Sequence, residues 1–239
     1  MQSHQNTSIH SLLSPEYTAK CKEGQDGTIN CVNLDLRELG LNYKIAYVLE
    51  NVFSPEECVS LINRSEELGY APVLSNYGAR KGQRVSHRDC YRVLVDDKEF
   101  VDIMMERMGH LLPSRFKQHK LIEINERLRF MRYVPGDKFK KHYDAAYTRP
   151  DGSATTFITL QTYLNDVPKH DGGSTRFLST KSSSPNKVPK SIEVQPKAGS
   201  VLVFEHRLWH EGSLLTSGNK YTFRTDVLYQ LREDERTTR

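Results

Sequence analysis

The sequence predicts a mainly β protein with flanking helices, an α+β chain built on a two-sheet jelly roll. Two observations carry this expectation. Two amphipathic helical patterns precede residue 121, and from Leu121 onward the apolar period changes to two, with turn residues between short runs. Eight short strands after a helical section suit two packed antiparallel sheets with the helices outside one of them.

Residues 1–27 are polar and read as a flexible N-terminal tail, or a strap that orders only by docking. Residues 28–120 read as a support region. Within it, 43–53 alternate as a strand. Ser54-Pro55-Glu56-Glu57 is a helix start, with Ser as cap, Pro first and Glu three after the cap. Cys58, Leu61, Ile62 and Leu68 give that helix its apolar stripe, and Gly69 ends it. Residues 76–92 form a basic, glycine-containing stretch with Arg80, Lys81, Arg84, Arg88 and Arg92, expected as a loop beside the site's mouth. A second helix is expected over 97–112 on Phe100, Ile103, Met104, Met108 and Leu111, stopped by Pro113. Residues 121–232 read as the jelly-roll domain. Its strands are expected near 121–134, 138–146, 155–165, 174–179, 191–195, 200–205, 208–213 and 220–231, separated by Pro and Gly turns.

Composition narrows the class. The 239 residues carry a net charge of +4, with 37% hydrophobic and 27% charged residues, ordinary for a globular chain. The mild charge permits an acidic partner without demanding a nucleic acid. No apolar run approaches the ~18–20 residues of a membrane span, and Met1 to Ser14 lacks the pattern of a signal peptide. The four cysteines show no pairing pattern and read as free thiols in a reducing compartment, so a cytoplasmic or nuclear location is expected.

The chemistry concentrates in His142-Tyr143-Asp144 and the distant His210. On a strand His142 and Asp144 face one way and Tyr143 the other. Two imidazoles and one carboxylate cover one face of a metal and leave the others open, which suits non-haem Fe(II). His206 is the rival third ligand, four residues before His210 on the same side of a strand. Lys220 offers a cation for a dicarboxylate co-substrate. Arg224 shares its strand face and is the second candidate, or else pairs with Asp226. Glu126, Arg127, Arg129 and Arg132 cluster as charged scaffold.

Tyr133-x-x-Gly136-x-x-Phe139-x-x-His142-x-Asp144, Tyr163-Leu164-Asn165, Gly172-Gly173, Ala198-Gly199-Ser200, His210-Glu211-Gly212 and Gly218-Asn219-Lys220-Tyr221 resemble the Fe(II)- and 2-oxoglutarate-dependent dioxygenases, most of all their prolyl 4-hydroxylase-type catalytic domain. The resemblance covers roughly 121–231. It implies a double-stranded β-helix, another name for this jelly roll. It implies Fe(2+) on His142, Asp144 and His210, and 2-oxoglutarate anchored by Lys220 with Tyr163 and Tyr133 nearby. It further implies O2 as oxidant, ascorbate as reductant, and hydroxylation of prolyl or other protein side chains with release of succinate and CO2. A zinc-dependent hydrolase and a non-catalytic jelly-roll binding protein are the alternatives; the chain has no HExxH helix to favour the first.

Overall fold

The computed structural model describes residues 8–22, 28–73, 90–179 and 190–230. They fold into two antiparallel sheets with helices on the outer side of the larger one. In spatial order the large sheet runs β1 (Asn30–Asn33), β2 (Ala46–Glu50), β12 (Val201–Glu205), β9 (Ala154–Tyr163), β14 (Lys220–Gln230), β7 (Arg127–Tyr133), β4 (Tyr91–Asp96) and β3 (Ala71–Pro72). The hairpin β5 (Arg115–Phe116) and β6 (His119–Ile124) joins the far end of β14. The small sheet runs β11 (Ser191–Val194), β10 (Thr175–Leu178), β13 (His210–Gly212) and β8 (Phe139–His142). This is the expected jelly roll. All eight anticipated strand segments are present, the first split into β6 and β7.

Helix α2 (Pro55–Leu68) starts as the sequence requires: Ser54 Oγ accepts from the Glu57 amide at 3.2 Å, and the Glu57 carboxylate accepts from the Ser54 amide at 2.9 Å. Helix α3 (Lys98–Met108) is capped by Asp97, and a 3₁₀ turn continues it over Gly109–Leu111. Phe100 and Met104 from α3 and Leu61 from α2 pack onto Leu49, Ile158, Leu160 and Phe223 of the large sheet. The rings of Phe53, Phe100, Phe130 and Phe223 meet there at centroid distances of 5.2–6.1 Å. A second core, with Tyr163, Phe177, Leu202 and Phe204, lies between the two sheets.

The N-terminal expectation needs correction. Residues 8–22 are not a flexible tail. They form a 3₁₀ turn (His10–Leu12) and helix α1 (Pro15–Lys22), with Ile9 and Leu13 buried. Asp97 accepts from the Ile9 and His10 amides at 2.7 and 3.1 Å. Arg107, fully buried, grips both Glu57 oxygens at 2.6 and 2.8 Å and donates to Thr18 Oγ1 at 3.0 Å. The docked strap is therefore the form this segment takes. Its partners lie on α2 and α3, far along the chain.

The support region also enters the sheet itself. The expected boundary at 121 falls inside β6, and β2 and β4 hydrogen-bond to β12 and β7. Arg92 lies on β4, so the basic stretch is a strand at its end; Arg80, Lys81, Arg84 and Arg88 lie outside the described residues. No helix among the described residues is long and apolar enough to cross a membrane.

Candidate metal centre

Antiparallel pairing of β8 with β13 sets His142 directly opposite His210. The side chains of paired residues on one sheet face are neighbours. Asp144 arrives differently from the strand alternation expected for it. β8 ends at His142, and Asp144 is placed by its own amide, which donates to the His206 carbonyl at 3.0 Å. Tyr143 still turns outward, half exposed and against Trp209 at 4.7 Å.

His142 Nε2 lies 3.5 Å from Asp144 Oδ1, and His210 Nε2 lies 3.9 Å from Asp144 Oδ2. One donor atom from each of the three residues lies within 4.8 Å of the others. The tautomers follow from the backbone. His142 Nδ1 faces the Lys140 carbonyl at 2.8 Å, and His210 Nδ1 faces the Leu208 carbonyl at 2.8 Å. A carbonyl only accepts, so both protons sit on Nδ1 and both Nε2 lone pairs are free for a metal. His142 Nε2 is buried and has no hydrogen-bond partner among the described residues. Burial pushes the His210 imidazole down to about 4, opposed by the Asp144 charge, so it is neutral at physiological pH.

Asp144 is buried, which resists ionisation. The Arg224 guanidinium outweighs that, with help from the histidines and from Thr159, and holds the carboxyl well below its usual range. Thr159 Oγ1 donates to Asp144 Oδ2 at 2.6 Å. Two imidazoles with their Nδ1 on backbone carbonyls and an ionised carboxylate, one imidazole Nε2 being buried without a hydrogen-bond partner among the described residues, are a donor set that fits Fe(II).

Behind the histidines lies a cavity whose wall includes Tyr133, Thr175, Lys220 and Thr222. Lys220 is buried. Its Nζ donates to the Gly173 carbonyl at 2.6 Å and lies over the Tyr133 and Tyr163 rings at 5.2 and 5.6 Å. No carboxylate among the described residues pairs with it. Burial pushes its amine down to about 8. A buried ammonium lacking a counter-ion suits a bound carboxylate.

Residues 128–225 match the family model described as the 2OG-Fe(II) oxygenase superfamily. The chain is similar to that superfamily over this stretch, which holds His142, Asp144, His210 and Lys220. It is an oxidoreductase, a dioxygenase that uses Fe(II), 2-oxoglutarate and O2. Similar solved structures include a prolyl hydroxylase from Trichoplax adhaerens in complex with a hypoxia inducible factor peptide fragment, 18% identical. It covers 93% of this chain and 96% of its own, with a TM-score of 0.55. The viral collagen prolyl hydroxylase of Paramecium bursaria Chlorella virus-1, in complex with 2-oxoglutarate, is 20% identical over 77% and 95% of the two chains, TM-score 0.53. HygX from Streptomyces hygroscopicus, with nickel, 2-oxoglutarate and hygromycin B bound, is 16% identical over 84% and 88%, TM-score 0.53. At these identities the likeness is one of fold. No curated protein sequence matches the chain.

The oxygenase resolves the sequence alternatives unevenly. His206 stands apart from the histidine pair: its Nε2 lies 3.3 Å from Asp226 Oδ1. Arg224 lines the same cavity as Lys220 but is already engaged with carboxylates. Its guanidinium donates to Asp144 Oδ1 and, at 2.9 Å, to Asp226 Oδ1. Asp226 also receives Arg129 at 3.2 Å; burial resists its ionisation, but the Arg224 charge prevails and lowers its carboxyl to about 2. The Tyr163 phenol is bonded to Thr175 Oγ1 at 2.7 Å, and Tyr133 lines the cavity. Sequence reading missed Thr159. The signal was present: it shares the β9 face of Tyr163, four residues away. Gly172-Gly173 explains itself too. A Cβ on Gly172 would meet the Leu214 carbonyl oxygen at 2.1 Å, so only glycine allows the approach that carries the Gly173 carbonyl to Lys220.

Proposed function

We propose that His142, Asp144 and His210 hold the iron of this dioxygenase, that Lys220 anchors the distal carboxylate of 2-oxoglutarate, and that the substrate is a protein side chain, a prolyl residue first. The catalytic unit is the two-sheet jelly roll, whose large sheet includes β2 and β4 from the preceding region. The observation that carries this reading is the triad set beside a buried ammonium that pairs with no carboxylate among the described residues.

Bound iron and 2-oxoglutarate supply the oxidising chemistry: O2 gives one atom to succinate as CO2 leaves and the other to the substrate. The chain's own work is placement. The Lys140 and Leu208 carbonyls fix the imidazole tautomers, and Arg224 and Thr159 keep Asp144 ionised and aimed. Phe139, 3.6 Å from the His142 ring, and Phe204, 4.8 Å from the His210 ring, brace the ligands and exclude water. Ascorbate serves as the reductant that keeps the iron ferrous. Cys21, Cys58 and Cys90, buried and unbridged, suit a reducing cytoplasmic or nuclear setting. Among the similar structures, two prolyl hydroxylases and a peptide complex support a polypeptide substrate.

Anaerobic addition of Fe(II) and 2-oxoglutarate together tests the centre. A visible charge-transfer band is expected. His142→Ala, Asp144→Ala and His210→Ala should each abolish it and His206→Ala should leave it. A band lost with His206→Ala but kept with His210→Ala would reassign the third ligand.

A further inference from the structure

Asp144 also lines a second cavity, of about 530 Å³, whose walls do not include Lys220. Its size is that of a ligand site, and nothing described above uses it. One wall is aromatic. Phe157 of β9 stacks between Phe116 at 4.9 Å and His119 at 5.3 Å, with interplanar angles of 23° and 25°. The floor carries Thr155, Thr156 and His206.

The charges differ in kind around this cavity. Lys44 is neutralised by Glu205 at 2.7 Å. Lys117 and Arg207 are exposed, and neither has an ion-pair partner among the described residues. Lys117 is held at the rim by the two-residue turn of the β5–β6 hairpin, with a φ of 55°. Arg207 lies in the turn between β12 and β13, next to the backbone carbonyl that positions Asp144. Two cations with no ion-pair partner among the described residues therefore stand outside an apolar wall that leads inward to Asp144.

We propose that this cavity admits the primary substrate, and that the substrate is a polypeptide segment with an acidic residue near the one oxidised. Its carboxylate meets Lys117 and Arg207 while the chain lies along Phe157. This rests on the reading of Asp144 as an iron ligand. The rim position of both cations favours a polypeptide over a free small acid. Small-ligand sites enclose most of their ligand, whereas here the anionic group stays in contact with solvent and the ligand continues outward. Rim charges act mostly on association rate and its salt dependence.

The test uses the full chain with Fe(II) and 2-oxoglutarate in the absence of O2. The probes are two labelled peptides, Glu-Glu-Ala-Pro-Ala-Glu-Glu and its counterpart with every Glu replaced by Lys. The acidic peptide should bind and the basic one should not. Lys117→Glu combined with Arg207→Glu should weaken binding about tenfold or more and slow association; the paired Gln substitutions should give a smaller loss. Hydrogen exchange should show protection at residues 115–120 and 205–207. Equal binding of both peptides, binding unchanged in both variants, or protection at the lysine-rich residues 138–141 instead would overturn the proposal. Failure of the iron reading is seen separately, as a missing charge-transfer band in the unaltered chain, because peptide binding and protection are read without turnover.

Discussion

Replacing Lys220 by Met should stabilise the metal-free protein while damaging co-substrate binding. The amine drops from 10.5 to about 8 through burial, which corresponds to about 3 kcal/mol of penalty for charging it in the fold. Met fills the space without that penalty but leaves the Gly173 carbonyl without its donor, a loss of about 1–2 kcal/mol. A net gain of about 1–2 kcal/mol remains at neutral pH. The sign with pH follows from the direction of the shift. Below about 8 both folded and unfolded amines are charged, and the penalty is full. Between about 8 and 10.5 the folded amine gives up its proton first, so the stability of the unaltered protein rises through that window and the variant shows no such rise. For 2-oxoglutarate the effect is reversed. A buried carboxylate left without its cation costs about 3–5 kcal/mol, two orders of magnitude or more in affinity. Urea unfolding of the metal-free chain, at neutral and alkaline pH, and calorimetric titration of 2-oxoglutarate read the two halves. A variant that is less stable yet binds 2-oxoglutarate normally would refute the reasoning, for then Lys220 would be a structural cation.

Arg224→Met strips the main cation from two buried carboxylates, Asp144 and Asp226. A loss of about 3–5 kcal/mol is expected in denaturant titrations, with a smaller effect on 2-oxoglutarate affinity than Lys220→Met. The opposite ranking would return Arg224 to the co-substrate. Part of that loss is pH-dependent: the Asp226 carboxyl, lowered to about 2, contributes stability present above 3.8 and lost as pH falls through about 2. Gly199→Ala should be far more damaging than Gly218→Ala. Both have positive φ, 77° and 67°, but a Cβ at Gly199 lands 2.1 Å from the Phe53 carbonyl oxygen while Gly218 faces open space. Thermal melts should show a loss of about 1–2 kcal/mol for Gly218 and several times that, or no folded protein, for Gly199.

What the sequence made legible was local. The Ser54–Glu57 capping box and the period-two strands each depend on residues a few positions apart and are found as read; the His-x-Asp spacing does bring His142 and Asp144 together, but through the His206 carbonyl rather than through strand alternation. What it hid was long-range. Residues 8–22 look polar because their anchors, Asp97, Glu57 and Arg107, belong to helices α2 and α3. Strand β4 begins in the last two residues of the basic stretch, whose charge suggested a loop, and runs on past it, where Val93 and Val95 alternate as a strand requires. Arg224 and Lys220 share a strand face and look equivalent in sequence. Only the fold shows that two aspartates already hold the first and none holds the second.

The triad joins the two sheets. His142 and His210 are paired neighbours in the small sheet, so their spacing is fixed by backbone hydrogen bonds. Asp144 lies beyond the end of β8, and its carboxylate is held by Thr159 of β9 and Arg224 of β14, adjacent strands of the large sheet. The three donors therefore converge only if the sheets keep their separation. That separation is set by the apolar layer between them, where Phe177 meets Phe204 edge to face at 5.2 Å and Phe204 meets the His210 ring. Close packing transmits small volume changes as displacements. Residues without any donor atom thus belong to the function of this oxygenase: they hold the two halves of its metal centre at one distance.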